Sequence, residues 1–180
     1  MQDLLRDLDA EFARDPAGLG VAKLLESFTS SDRAWRPYAH FCEGPYARNL
    51  VHACDRYELI VICWNAGEAS PVHDHAGQRC WMGTLSGEIQ ETLFEFPSAA
   101  PSAPGPLVAR SVRILHRGQV AFITDDIALH EIAVAGDEPA VSLHLYANPI
   151  HACTLFDRAT GLREERQMSY HSIEGQLQRS

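Results

Sequence analysis

After Arg36-Pro37 the chain breaks into short runs rich in β-branched and aromatic residues: Leu59 to Trp64, Cys80 to Leu85, Glu88 to Phe96, Val120 to Thr124, Glu131 to Val134 and Val141 to Tyr146. Side chains branched at Cβ are stiff at χ1 and pack well on a pleated surface, so each run predicts a strand. Turn chemistry separates them, with Ser86-Gly87 between two runs and a Gly/Asp/Glu/Pro cluster at 136 to 139. Ahead of this body, Leu4, Leu5, Leu8 and Phe12 stand at helical spacing, and Leu19, Val21, Leu24, Leu25 and Phe28 follow after Pro16 and two glycines. The pattern predicts a mainly β body over residues 36 to 175 behind a preface of short α-helices over 1 to 35. At 180 residues and 46% hydrophobic, the chain has the size and apolar content of one domain with a real core.

The formal net charge is -9, from 15 Lys+Arg against 24 Asp+Glu, the wrong sign for gripping phosphate backbones or anionic lipid. Neither nucleic acid nor a membrane is expected as a partner. No apolar run approaches the roughly 20 residues needed to cross a bilayer. The start MQDLLRDLDAEFARD carries acids where a signal peptide needs a basic end and an apolar core, so a cytoplasmic location is expected. Cys42, Cys54, Cys63, Cys80 and Cys153 are odd in number and include no Cys-x-x-Cys pair, which argues against a disulfide framework and a zinc ribbon. They read as buried free thiols, with Cys80 set apart by its position.

His73-Asp74-His75 places two imidazoles two residues apart. On a strand both point to one face, whereas on a helix they diverge by about 200°. The spacing Gly67, His73-x-His75, Cys80, Gly87 resembles the first motif of the cupins, jelly-roll-like β-barrels, with Cys80 where many members carry a glutamate ligand. The second cupin motif supplies one more histidine, and His130 in TDDIALHEIAV is the candidate, although the usual Pro-x-Gly before it is absent and Val134 stands where asparagine is common. Because these histidines lie on both sides of Pro97 to Pro106 (PSAAPSAPGP), that segment is read as a surface loop of one barrel rather than an interdomain linker. Three neutral imidazoles leave a divalent metal its full charge and open positions for substrate. A thiolate suits such a centre because the metal lowers the thiol's pKa. The same three histidines would also suit zinc, so ligand type leaves the ion open.

The run Val141 to Tyr146 alternates strictly, with Val141, Leu143 and Leu145 facing one way and Ser142, His144 and Tyr146 the other. The polar face reads as a hydrogen-bond relay in which the serine orients the imidazole and the imidazole orients the phenol. The pattern alone also fits the solvent face of an edge strand. Arg48 would ordinarily be a solvated surface charge, but it becomes a two-pronged clamp if the ligand carries a carboxylate.

RNLV, ICW, HDHxxxxCW, LSGEIQETLFEFP, ALH and SLHLY, in this order and spacing, resemble the cysteine dioxygenases. The likeness runs from about Tyr46 to about Gly175 and takes in FDRATG and Met168-Ser169-Tyr170-His171-Ser172. The resemblance implies Fe(II) on His73, His75 and His130, a substrate carboxylate on Arg48 with help from Tyr46 or Tyr146, and Ser142, His144 and Tyr146 behind them. It implies that L-cysteine and dioxygen give cysteine sulfinic acid in a protein expected to be a monomer, and that Cys80 can form a thioether with Tyr146. One departure is Ala147-Asn148-Pro149 where the family's better-known form has Ser-Pro-Pro. Relatives that prefer 3-mercaptopropionate carry glutamine in place of the arginine, so Arg48 favours cysteine. A zinc or manganese cupin acting as an isomerase or hydratase, or a non-catalytic binding module, would leave Cys80 and the Ser142-His144-Tyr146 face without a purpose.

Overall fold

A computed structural model describes residues 1–31, 33–95 and 105–178. Helix α1 (Gln2–Arg14) and helix α2 (Val21–Ser31) form the preface. Leu4, Leu8, Phe12, Val21, Leu25 and Phe28 turn inward as their spacing requires. Leu19 departs from the expected apolar stripe: it precedes α2 and is 85% exposed. The Asp15 carboxylate accepts the N–H groups of Ala17 and Leu19 at 2.9 and 3.1 Å, and this turn throws the leucine outward.

Each of the six expected strands is present, as β2 (Tyr57–Trp64), β4 (Cys80–Ser86), β5 (Ile89–Phe94), β7 (Val120–Ile123), β8 (Leu129–Val134) and β9 (Ala140–Ala147). The sequence reading missed β1 (Ala47–Ala53), β3 (Val72–His73), β6 (Ala109–Leu115), β10 (Ala152–Phe156), β11 (Arg163–Gln167), β12 (Ser172–Ile173) and β13 (Gln176–Leu177). Of these, β11 is charged and wholly exposed, β6 is exposed at six of its seven residues, and three others are two residues long, so these five carry no buried apolar run. The expected loop over 97 to 106 lies mostly outside the described residues.

The strands form a seven-stranded sheet, β13-β12-β1-β2-β9-β4-β7, and a six-stranded sheet, β11-β10-β3-β8-β5-β6. Ile60, Ile62 and Met82 from the first sheet meet Ile89, Ile132 and Cys153 from the second in one core. On its other face the first sheet lays Leu59, Val61, Leu143 and Leu145 against Leu8 and Leu25 of the helices. Strands β2 and β9 are therefore buried on both faces along their whole length. This excludes the edge-strand reading of the polar face, because β9 runs between β2 and β4. Beyond Ala147 the chain bends at Asn148, which adopts φ 68, and no cis peptide occurs among the described residues. Asparagine tolerates this left-handed conformation better than most residues.

Candidate active site

The three predicted histidines converge. His73 at the end of β3 is the cross-strand partner of His130 on β8. Strand β3 stops at His73, so His75 reaches the site by a turn rather than by alternation along a strand. Asp125 fixes that turn, accepting the N–H of His75 at 2.7 Å and that of Gly77 at 2.6 Å. All three histidines offer ligand atoms within 4.8 Å of one another.

Hydrogen bonds of the outer nitrogens settle the tautomers of His73 and His130. His73 Nδ1 donates to the Pro71 carbonyl at 2.9 Å, and His130 Nδ1 donates to the Glu91 carboxylate at 3.0 Å. His75 Nδ1 faces Asp125 Oδ1 at 3.5 Å. The Nε2 atoms of His73 and His130 are thus left with their lone pairs pointing inward, and His75 Nε2 joins them, at 3.1 Å from His130, which is 3.2 Å from His73. Burial and the neighbouring imidazoles lower the His73 pKa to about 3 and hold His130 well below its ordinary value, so both rings are kept neutral. Three imidazole nitrogens packed this closely are a donor set for a cation, and the residues present fit a divalent metal.

Glu91, which sequence reasoning passed over, is fully buried and also accepts from Arg113 at 2.5 Å. Its signal was an acid alternating with Ile89 and Leu93 on an otherwise apolar strand face. Such partners of metal ligands fix ring orientation and raise ligand basicity. Glu91→Gln is expected to weaken metal binding by roughly 10- to 100-fold, read by chelator competition; an unchanged affinity would remove Glu91 from this role.

Arg48, on β1, is 7% exposed and reaches the cavity under the ring of Tyr170, 5.7 Å from the guanidinium carbon. Its Nε and Nη2 have no hydrogen-bond partner among the described residues. A buried cation with free donors is costly, and a carboxylate would satisfy both in a two-pronged geometry. Tyr46 packs against Trp64 with ring centroids 4.4 Å apart. Arg48, Tyr46, His73, His144, Tyr146 and Tyr170 line one cavity of about 520 Å³.

On β9, Ser142 and His144 are joined at 2.9 Å. The Trp64 indole donates to Ser142 Oγ at 2.8 Å, so the serine oxygen ties the indole and the His144 imidazole together. Trp64 was not foreseen in this role. The second half of the expected relay is not formed: His144 Nδ1 has no partner among the described residues, and its ring lies stacked 6.2 Å from that of Tyr146. Side chains two apart on one strand face stand side by side, which turns ring faces rather than edges toward each other. Tyr146 instead stands opposite Cys80, its cross-strand partner, and burial pushes the pKa of both groups up.

Comparison with known proteins agrees with this geometry. The family model described as cysteine dioxygenase type I matches residues 1–159. Cysteine dioxygenase type 1 of Homo sapiens is 37% identical over 175 residues, 96% of this chain and 86% of that protein. The Danio rerio protein of the same name is 34% identical over 179 residues, 98% of this chain and 88% of that protein. Among solved structures, a conserved protein with a double-stranded β-helix domain from Klebsiella pneumoniae has a TM-score of 0.51 at 15% identity, covering 77% of this chain and all 100% of its own. A protein from Thermus thermophilus has a TM-score of 0.51 at 19% identity, covering 64% of this chain and 95% of its own. These two establish the cupin type of fold alone, and the sequence matches go further: the chain belongs to the cysteine dioxygenase type I family.

Proposed function

We propose that this protein is an Fe(II)-dependent dioxygenase that adds both atoms of dioxygen to the sulfur of L-cysteine, giving cysteine sulfinic acid. One observation carries the reading: the three-histidine cluster, through His73, and a buried guanidinium with two free donors meet at a single cavity. Iron(II), held by His73, His75 and His130, would supply the Lewis acidity that deprotonates a thiol and the redox chemistry that engages dioxygen. Arg48 takes the carboxylate in a two-pronged pair, and the Tyr46 hydroxyl assists at the same end of the cavity. Tyr146, kept protonated by burial, is a hydrogen-bond donor at the cavity wall, while Trp64 and Ser142 fix the His144 ring beside it. Ile62, Ile132 and Leu155 line the rest and keep bulk water from the reacting sulfur. Among the described residues no helix is long and apolar enough to cross a membrane. The five free cysteines support a reducing cytoplasm.

The reading is tested by oxygen consumption of iron-loaded protein with L-cysteine, 3-mercaptopropionate and cysteamine side by side. Cysteine should dominate. A preference for 3-mercaptopropionate would overturn the substrate while leaving the metal site in place, and no uptake with any thiol would overturn the chemistry.

Cys80 and Tyr146 are further proposed to join as a thioether. The S–H and one ring C–H are lost, the carbon–sulfur bond forms, and dioxygen takes the two electrons and two protons. Intact mass should fall by two hydrogens and return to the calculated value in Cys80→Ser. Full activity with no mass loss would sink this idea.

A further inference from the structure

Glu58 is the buried charged group that the proposed reaction leaves unused. It is fully buried on β2, opposite Tyr146 of β9. Three walls of the cavity meet on its carboxylate. Oε1 accepts the N–H of Ile150 at 3.2 Å, Oε2 accepts the Tyr170 hydroxyl at 2.5 Å, and Arg48 Nη2 stands 3.7 Å from Oε1. The last distance is an ion pair without a hydrogen bond.

We propose that Glu58 is a resident counter-ion that sets the strength of the Arg48 clamp, making it a specificity-determining residue for carboxylate-bearing ligands. The inference rests on the reading of Arg48 as that clamp. A buried guanidinium with no counter-charge destabilises the fold, and Glu58 offsets that cost in the empty cavity. Its oxygens are held by Ile150 and Tyr170 with Nη2 3.7 Å away, beyond hydrogen-bond length, and Arg48 keeps Nε and Nη2 free. A ligand carboxylate therefore completes the hydrogen bonding of Arg48 but arrives as the second anion on one cation. Like charges sharing a low-dielectric site repel, so Glu58 holds carboxylate affinity below what the guanidinium alone would give. Reaction product, which carries the same carboxylate plus a sulfinate, is subject to the same repulsion and leaves more readily.

A purely structural anchor and a counter-ion differ in sign. Glu58→Gln keeps the shape and an acceptor for Ile150 but removes the charge. Calorimetry on iron-loaded protein under anaerobic conditions should show L-cysteine binding roughly tenfold tighter in this variant, with cysteamine, which lacks the carboxylate, unchanged. Glu58→Asp, which retains the charge, should bind cysteine as the parent does. Should glutamine alone unfold the chain, Glu58→Met with Tyr170→Phe removes the charge and its phenol donor together, leaves only the Ile150 N–H without its acceptor, and should show the same tightening. Equal or weaker cysteine binding, or an equal change for both thiols, would overturn the proposal. Because binding is read without turnover, this outcome is separate from any failure of the dioxygenase reading, which oxygen uptake reports.

Discussion

Replacing His130 by alanine is expected to abolish thiol-dependent oxygen uptake, by on the order of a thousandfold or more, together with stoichiometric iron. Partners of metal ligands already cost about 10- to 100-fold when lost, and a ligand itself costs more. The substitution also leaves the Glu91 carboxylate with one fewer donor in a buried site, since His130 Nδ1 and Arg113 are both hydrogen-bonded to it. Metal-free variant and parent should differ modestly in melting temperature, whereas the stabilisation that added metal gives the parent should be missing from the variant. Iron content and an oxygen electrode check both. A variant that holds iron and turns over cysteine would show that the three-histidine set is not the centre.

Arg48→Ala is expected to raise the KM for cysteine about a hundredfold, the size of a lost charge-assisted two-pronged pair, with a much smaller change in kcat. Cysteamine, with no carboxylate, should respond little. The change has a second consequence, because it leaves Glu58 buried without its counter-cation. Breaking a buried pair of this kind costs roughly 3–5 kcal/mol, so the variant should also melt earlier. Side chains 8% and 0% exposed place the pair well inside the protein, where solvent screening is weak. Wild-type KM for cysteine in a folded Arg48→Ala protein would remove the clamp.

The sequence exposed what is periodic or clustered. The apolar runs marked six strands, the alternation along Val141 to Tyr146 marked the face carrying Ser142 and His144, and His73, His75 and His130 stood out by type and spacing. What stayed hidden depends on contacts between distant segments. Strand β1 has an arginine and an asparagine among its first residues, and its burial is evident only once β2 and β12 flank it. Asp125 looks like a turn residue until it is seen holding the loop that delivers His75. Glu58 and Glu91 each interrupt an apolar strand, a sign of a buried charge, but their partners Tyr170 and Arg113 lie 112 and 22 residues away. The relay failed at the His144–Tyr146 step because strand alternation fixes the face of a side chain and not the edge its ring presents.

The most direct test of the account is the fate of dioxygen. Iron-loaded protein is supplied with L-cysteine and oxygen-18 gas in ordinary water, and the product is examined by mass spectrometry. Cysteine sulfinic acid carrying two labelled oxygens, formed at one molecule per dioxygen consumed, is the expected result. A product with one label or none, or cystine and peroxide in its place, would contradict dioxygenation at sulfur.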